Sequence, residues 1–253
     1  MPEITINGQD FQASPGITLL QAVRQAGERL PTLCHWEGLP PYGACRLCMV
    51  EIEQPDRPEP EVVAACSYPV VDGLVVDTRG AQATAVRRMM LEFMLARCPN
   101  SATIQELAAE AGLDQSRFPV NENADELCVL CGLCVRVCRD LVGAAAISFI
   151  DRGASRIVGA PFQLQSEACI GCAACAAVCP TGAVKIEDVD GQRVLRTWNT
   201  TVPLHRCPKC GQPYAPEPMA FLTEQVPVSA DLWGLCPKCR RQNTAAQLEV
   251  VRL

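Results

Sequence analysis

The sequence predicts an α+β protein made of several small domains, each stabilised by bound metal. Sixteen of the seventeen cysteines in this 253-residue chain fall into four sets of four with metal-ligand spacing. Strand and turn patterns dominate the first part of the chain, and helical patterns follow them. Each cysteine block spans only about 40 to 80 residues, so a hydrophobic core is marginal and bound metal can supply the missing stability.

The bulk composition narrows the class of protein. The net charge is −6 at pH 7, which disfavours nucleic acid or an anionic membrane as the main partner. The chain opens with MPEITINGQDF rather than a basic and apolar leader, and no run of 18 apolar residues predicts a membrane span. Disulfides are an alternative use for so many cysteines, but the recurring C-x-x-C pairs suit metal ligation better. We therefore expect a protein of a reducing compartment, the cytoplasm.

The first 78 residues carry the pattern of a small sheet with one helix. An Asn-Gly turn at Asn7 separates two short segments and predicts a hairpin. A helix is expected to begin after Thr18 as its N-cap and to end at Gly27. Three further strands are predicted, over 48–53, 61–66 and 73–78. The segment 54–61 contains three prolines and is predicted to be a loop insertion.

Two helical patterns follow this region. The first, over 81–98, places apolar residues along one face that we expect to be buried, and Pro99 ends it. The residues of that face are Val86, Met89, Met90, Phe93 and Met94. The second helix is predicted to begin with Thr103 and Glu106 in capping-box register and to end near Gly112.

The second and third cysteine sets have nearly identical sequences, CVLCGLCVRVC and CIGCAACAAVCP. Both follow the bacterial two-cluster ferredoxin spacing, in which the fourth cysteine of each run ligates the other cluster. One predicted [4Fe–4S] cluster is therefore bound by Cys128, Cys131, Cys134 and Cys179. Its twin is bound by Cys169, Cys172, Cys175 and Cys138. Strands are expected between the runs, within 145–153 and 155–165, and Arg139 stands where the other run has Pro180.

The first cysteine set has the spacing C-x10-C-x2-C-x17-C, with strands on either side. Three thiolates in a tight loop and a fourth from a distant strand hold two irons and two sulfides, so we predict a [2Fe–2S] cluster. The predicted ligands are Cys34, Cys45, Cys48 and Cys66, and zinc is the alternative occupant. His35 adjoins the first ligand, but four cysteines already fill the site, and we expect it to be a loop residue.

The fourth set consists of two C-P-K-C knuckles separated by 25 residues. Its members are Cys207, Cys210, Cys236 and Cys239. Tetrahedral sulfur ligation suits zinc or iron, and paired knuckles resemble zinc ribbons and rubredoxin. A structural zinc is favoured, with an iron–sulfur cluster or a single redox iron as alternatives. Basic residues, Lys209 among them, could dock an acidic partner, and His205 is expected to be incidental.

The segment LCHWEGLPPYGACRLCMVEI around the first set resembles the N-terminal ferredoxin domain of the large iron–sulfur subunit of respiratory complex I. Similar domains lead the iron-only hydrogenases and the diaphorase part of NAD-linked nickel–iron hydrogenases. The resemblance implies a β-grasp fold, a [2Fe–2S] cluster and assembly with a flavin- and NAD(H)-binding subunit. These relatives usually carry a further cluster held by one histidine and three cysteines. Here that stretch has only Cys98, which we expect to be a buried small residue.

These assignments divide the chain into four predicted domains. They are a plant-type [2Fe–2S] ferredoxin-like domain over 1–78, a helical connector over 79–120, a two-[4Fe–4S] domain over 121–190 and a four-cysteine metal-binding ribbon over 191–253. No G-x-G-x-x-G or P-loop motif appears, and two histidines offer little for catalysis. We therefore expect no turnover by the chain alone.

The predicted function is electron transfer within a hetero-oligomeric oxidoreductase. The chain would relay single electrons between an NAD(H)-linked flavoprotein subunit and a second catalytic unit, such as a hydrogenase, a formate dehydrogenase or another reductase. An iron–sulfur redox sensor and a free-standing ferredoxin-type carrier are the alternatives. A sensor needs an output module, and the sequence offers none beyond the small ribbon.

Overall fold

The computed structural model describes residues 1–217 and 234–250, and the chain divides into two compact units. The first unit comprises Met1–Leu133 and Pro180–Ala183, and the second comprises Cys134–Cys179 and the chain from Val184 onward. The division into four domains stays a prediction. Within the described residues, no helix combines the length and the apolar character needed to cross a membrane.

The first unit is built on a five-stranded sheet with the strand order β2-β1-β5-β3-β4. The strands are β1 Glu3–Ile6, β2 Gln9–Gln12, β3 Met49–Gln54, β4 Arg57–Ala64 and β5 Val75–Asp77. The central pair β1 and β5 is parallel, and the other neighbours are antiparallel. A parallel central pair needs a crossover connection, which contains helix α1, Leu19–Gln25. This mixed sheet with one crossing helix is the β-grasp arrangement that the resemblance implied.

The predicted local signals of this unit are largely confirmed. Asn7 and Gly8 both have positive φ, 49° and 81°, as a tight hairpin turn between β1 and β2 requires. Thr18 is the N-cap of α1, and its Oγ1 accepts a hydrogen bond from the backbone N–H of Gln21 at 3.4 Å. The Gln21 side chain accepts the Thr18 N–H at 2.8 Å, which completes a capping box.

The predicted loop insertion over 54–61 is wrong. Gln54 pairs with Arg57, so only Pro55 and Asp56 form the turn, and β4 begins at Arg57. The prolines at positions 58 and 60 are tolerated because β4 is an edge strand, where one row of N–H groups has no strand partner.

Aliphatic side chains fill the space between the sheet and α1. Leu19, Leu20 and Val23 are completely buried, and they belong to one core with Ile52 and Leu74 of the sheet region. Burying a side chain of this size contributes about 1.5–3 kcal/mol. The β-grasp core therefore rests mainly on hydrocarbon contacts.

Helix α2, Ala81–Arg97, forms over the predicted segment, and the predicted buried face is right for Met94 and Val86 but wrong for Met89 and Phe93. Met89 is 37% exposed and Phe93 is 46% exposed, whereas Leu91 and Leu95 are buried. Apolar residues occur all around this helix, so the sequence pattern could not select one face. Phe93 stacks instead on Phe118, with ring centroids 4.3 Å apart.

Helices α2 and α3 of the first unit begin differently from the sequence prediction or without a side-chain N-cap. Gly80, the N-cap of α2, has no side chain, and the Glu51 carboxylate of β3 accepts the N–H groups of Gln82 and Ala83 at 2.7 and 3.0 Å. Helix α3, Ala102–Glu110, begins after Ser101 rather than Thr103. The predicted capping box is therefore wrong.

The second unit contains a hairpin and a second sheet. A short helix α4, Leu133–Arg136, runs into a π-helical turn at Val137–Leu141, and helix α5 spans Ala174–Ala177. Between them, β6 Ser148–Ile150 pairs with β7 Ile157–Gly159, within the segments predicted to hold strands. The antiparallel sheet β11-β10-β9-β8 is formed by β8 Ile186–Val189, β9 Gln192–Leu195, β10 Thr200–Arg206 and β11 Pro213–Pro216. Helix α6 spans Pro237–Val250.

Candidate iron–sulfur and metal centres

The four cysteines of the first set are all buried in the β-grasp unit. Cys48 directly precedes β3 and Cys66 follows β4, while Cys34 and Cys45 lie in the loop before β3. Cys34 Sγ and Cys45 Sγ are 3.4 Å apart. Two thiolates on one tetrahedral metal at about 2.3 Å lie roughly 3.8 Å apart, so this pair fits ligation of a common metal.

Hydrogen bonds connect these thiols to each other and to the backbone. The N–H of Leu33 donates to Cys45 Sγ and the N–H of Cys45 donates to Cys34 Sγ, both at 3.4 Å. The contact with Cys34 and then burial raise the pKa of Cys45, whereas the contact with Cys66 lowers the pKa of Cys48. Iron would replace these thiol protons, because only thiolates bind the metal.

Side-chain contacts link Cys66 to Cys34 and Cys48, and Cys34 to Cys45, so the four thiols of the first set form one group. Among the described residues, the C-terminal cysteines form a compact group of ligand atoms within 4.8 Å of one another. His35 is half-buried beside the first set, and no such compact group includes it.

Four predicted ligands line one cavity in the second unit. They are Cys138, Cys169, Cys172 and Cys175. The cavity is partly open to solvent and has an empty volume of about 360 Å³, and its remaining walls include alanines, Leu195 and Trp198. The N–H of Ala146 donates to Cys138 Sγ at 3.3 Å. Four thiols around a largely apolar cavity fit a [4Fe–4S] cluster, which takes one thiolate on each iron.

The two similar cysteine runs adopt matching loop conformations. In the first run, Leu130 and Gly132 have positive φ values of 56° and 77°; in the second, Gly171 and Ala173 have 66° and 65°. These residues stand two and four places after the first cysteine of each run. Left-handed backbone at the same places turns both loops in the same way, so the sequence repeat is also a structural one.

The other predicted [4Fe–4S] set divides between the two compact units. Cys128 and Cys131 belong to the first, and Cys134 and Cys179 to the second. The N–H of Cys128 donates to the Glu126 carboxylate at 2.7 Å, which fixes the backbone at the start of the run. The assignment of these four thiols to one cluster stays a prediction.

Strands β8 to β11 support the cavity loop around Gly171. A Cβ at Gly171 would collide with Val202 of β10 and lie 3.2 Å from Pro216 of β11. Arg193 of β9 donates from Nη1 to the Gly171 carbonyl at 3.0 Å and pairs with Asp188 of β8 at 2.7 Å. The loop that carries three of the cavity thiols therefore rests directly on this sheet.

The C-terminal set forms a compact group of four sulfurs. The four Sγ atoms lie within 4.8 Å of one another, and Cys210 Sγ is 3.6 Å from Cys236 Sγ. The N–H of Cys236 donates to Cys207 Sγ at 3.4 Å, and it lowers the pKa of that thiol to about 6 together with N–H groups of Cys210 and Lys209. A low thiol pKa favours metal binding at neutral pH. This geometry fits one tetrahedral metal ion.

Cys98 and His205 were predicted to lie outside the four ligand sets. Cys98 is completely buried at the end of α2, where its N–H donates to Met94 O, and burial raises its pKa to about 12. The expectation of a buried small residue is confirmed. His205 lies in β10 opposite Ala215, and the compact C-terminal group does not include it.

Sequence reasoning missed the residues that surround the cavity thiols. Trp198 and Arg193 lie beyond the second cysteine run, and no spacing rule connects them to it. The only available signal was an isolated tryptophan in a chain with 5% aromatic residues.

Comparison with known proteins agrees with these centres. Residues 2–81 match the family described as a 2Fe-2S iron-sulfur cluster binding domain, and residues 127–183 match the 4Fe-4S dicluster domain. The chain is 31% identical over 235 residues to a subunit of the NADH-quinone oxidoreductase of Rhizobium meliloti, covering 83% of this chain. It is 30% identical over 236 residues to the alpha subunit of the NADPH-Fe(3+) oxidoreductase of Geobacter sulfurreducens, again covering 83% of this chain.

A solved structure agrees with this comparison. The chain resembles one chain of an NAD+-reducing [NiFe]-hydrogenase in the H2-reduced state, with a TM-score of 0.53 and 28% identity, over 63% of this chain and 74% of that one. The chain spans only 27% of the length of each of the two curated relatives above. It is an iron–sulfur protein with a 2Fe-2S domain and a 4Fe-4S dicluster domain, homologous to subunits of NADH-quinone oxidoreductase and NAD+-reducing hydrogenase.

Proposed function

We propose that this chain relays single electrons inside an NAD(P)H-linked oxidoreductase complex and performs no turnover alone. The observation that carries the proposal is the presence of buried, cluster-type thiol sets in a chain whose homologues are subunits of such complexes. When bound, iron–sulfur clusters supply one-electron carriers whose potentials depend on hydrogen bonds to sulfur and on solvent exposure.

The protein's part in this function is to hold and shield the thiolates. Cys34, Cys45, Cys48 and Cys66 would hold the [2Fe–2S] cluster. Cys128, Cys131, Cys134 and Cys179 would hold one [4Fe–4S] cluster, and Cys138, Cys169, Cys172 and Cys175 the other. Seven of these twelve cysteines are buried and the other five are partly exposed, and backbone N–H groups such as that of Ala146 donate to sulfur.

The C-terminal set would hold a structural zinc. Four thiolates at tetrahedral spacing leave no open position for a substrate, which is the pattern of a structural rather than a catalytic site. Zinc has no redox chemistry, so this site would connect the β10–β11 hairpin to the start of α6 without carrying electrons. A single iron would instead make the site a fourth redox centre.

The partners follow from the same reasoning. One would be a flavin- and NAD(H)-binding subunit, and the other a catalytic oxidoreductase subunit that consumes or supplies the electrons. All seventeen cysteines lie in the described residues and none forms a disulfide, which suits the reducing cytoplasm.

Metal analysis and affinity purification test the proposal together. Anaerobically purified chain is expected to contain roughly 10 iron atoms and one zinc, and dithionite should produce EPR signals of reduced clusters. Fewer than about 8 iron atoms would contradict three clusters. Cys207→Ser should release zinc and leave the iron content unchanged, whereas loss of iron would identify an iron site. When this chain is purified from its source cells, a flavoprotein should co-purify with it. Recovery of the chain as an isolated monomer would contradict the role as a subunit.

A further inference from the structure

Trp198 lies in the wall of the cavity that Cys138 and the second cysteine run surround. It ends a short 3₁₀ turn after β9, and only 4% of the residue is exposed. Thr200, which is also buried, donates its hydroxyl to the Trp198 carbonyl at 2.9 Å and fixes the backbone there. The indole is therefore held in place beside the thiols.

The indole N–H of Trp198 makes no hydrogen bond of normal geometry, and the acceptor near it is the sulfur of Cys175. Among the buried side-chain nitrogens and oxygens of the described residues, Nε1 of Trp198 is one of three atoms without a hydrogen-bond partner. A buried tryptophan usually finds an acceptor for this N–H, because leaving it unpaired costs free energy. This N–H therefore lacks a good acceptor apart from the sulfur at the cavity, where a bound cluster would lie.

Cys175 is the cavity thiol on which this indole acts. Cys175 and Trp198 line the same cavity and belong to one buried core. An N–H beside a sulfur atom favours negative charge on that sulfur. Sulfur atoms of an iron–sulfur cluster become more negative when the cluster is reduced.

We infer that the Trp198 N–H donates a hydrogen bond to a sulfur of the cluster bound by Cys138, Cys169, Cys172 and Cys175, and raises its reduction potential. The inference rests on the proposed function, because it requires a [4Fe–4S] cluster at these four thiols. The donor stabilises the reduced form more than the oxidised form, since the reduced form carries one more electron. Trp198 is thus a residue that adjusts the reduction potential of one of the proposed [4Fe–4S] clusters.

Trp198→Phe tests this inference because phenylalanine keeps an aromatic ring and removes the N–H. The midpoint potential of this cluster should fall by an amount equal to about a tenfold change in the reduction equilibrium, or about 59 mV for one electron. The measurement is an EPR-monitored redox titration of the full chain. Trp36→Phe, which removes an exposed indole two residues after Cys34, is the matched control and should leave the potentials of both [4Fe–4S] clusters unchanged.

A second measurement on the unaltered protein covers the case in which Trp198→Phe loses its cluster. Protein labelled with ¹⁵N at the indole nitrogen should show a ¹⁵N hyperfine coupling in the pulsed EPR spectrum of a reduced [4Fe–4S] cluster. That coupling should persist in Trp36→Phe. An unshifted potential in a fully loaded Trp198→Phe, or the absence of the coupling, would overturn the inference.

Iron content separates this inference from the proposed function. Cys175→Ser should remove about four irons if the ligand assignment is right. Unchanged iron in Cys175→Ser would refute the ligand assignment and the inference together. A different result would refute only the role of Trp198. In that case the unaltered chain contains all its iron and Cys175→Ser loses about four irons, but Trp198→Phe does not shift the cluster potential.

Discussion

The two compact units hold their thiols in different kinds of core. In the first, Cys48 and Cys66 belong to a large core whose other members are mostly aliphatic, such as Leu20 and Leu74. In the second, Cys134 and Cys175 are themselves buried core members beside Trp198 and Val202, with three further cysteines packed against them. Because aliphatic residues make up a larger share of the first core, we expect the first unit to keep its fold without a cluster and the second to depend on what its thiols bind.

Loss of one ligand from each unit should give the largest contrast. Cys48→Ser and Cys175→Ser should each reduce the iron content, by about two and about four atoms respectively. Amide hydrogen exchange should then show retained protection in β1 and β3 of Cys48→Ser, because the aliphatic core remains. In Cys175→Ser, protection should collapse across β6 to β10, since an empty thiol cavity replaces part of the core.

Two results would contradict this predicted difference between the units. The unaltered chain with all clusters intact is the control, and it should protect both sheets. Collapse of the β-grasp sheet in Cys48→Ser, or retained protection of β9 in an iron-depleted Cys175→Ser, would remove the distinction between the two cores.

A substitution that creates a cavity in the aliphatic core of the first unit should have the next largest effect. Leu74 is completely buried, so Leu74→Ala should cost about 2–5 kcal/mol in the free energy of opening of the β-grasp sheet. Val75, the next residue, is 42% exposed, and Val75→Ala is the control with an expected change within about 0.5 kcal/mol. Hydrogen exchange of β1 and β3 measures both. Equal effects of the two substitutions would show that this core does not carry the stability of the unit.

The parts of the fold that the sequence predicted are those with local causes. The Asn-Gly turn and the Thr18 cap act through neighbouring residues, and each is found where expected. The buried face of α2 and the extent of β4 depend on tertiary packing and on edge position, which a single sequence does not reveal. Trp198 was missed for the same reason, since only the folded chain brings it to the thiols.

The cap of α2 is a smaller test of the first unit. Because Glu51 accepts two N–H groups at the start of this helix, Glu51→Gln should weaken the cap and Glu51→Ala should cost about 0.5–2 kcal/mol. The loss should appear as faster amide exchange in the first turns of α2, with iron content unchanged. Glu53, which is exposed on the same strand, is the control, and Glu53→Ala should leave α2 protection unaltered. Loss of iron in Glu51→Ala would mean that the cap also supports the cluster.

The smallest expected effect concerns the ion pair that supports the cavity loop. Arg193 lowers the pKa of Asp188 through a hydrogen bond, so the pair stabilises the fold above the unfolded pKa of about 3.9 and loses that effect as pH falls through the lower folded value. Between pH 6 and 8 its contribution should therefore be constant. Because the Asp188 side chain is 43% exposed and screened by solvent, Asp188→Asn should cost at most about 1 kcal/mol.

The neighbouring pair supplies the matched control for this prediction. Arg196 and Glu187 form an ion pair nearby through side chains that are 63% and 49% exposed, so Glu187→Gln should produce no measurable change. Arg193 is only 16% exposed and also holds the Gly171 carbonyl, so Asp188→Asn should speed amide exchange in the 169–175 loop. Equal amide exchange rates in the two variants, or a difference between them that changes from pH 6 to pH 8, would show that the Asp188–Arg193 pair does not support the thiol loop. The packing of Val202 on Gly171 would then be the remaining support.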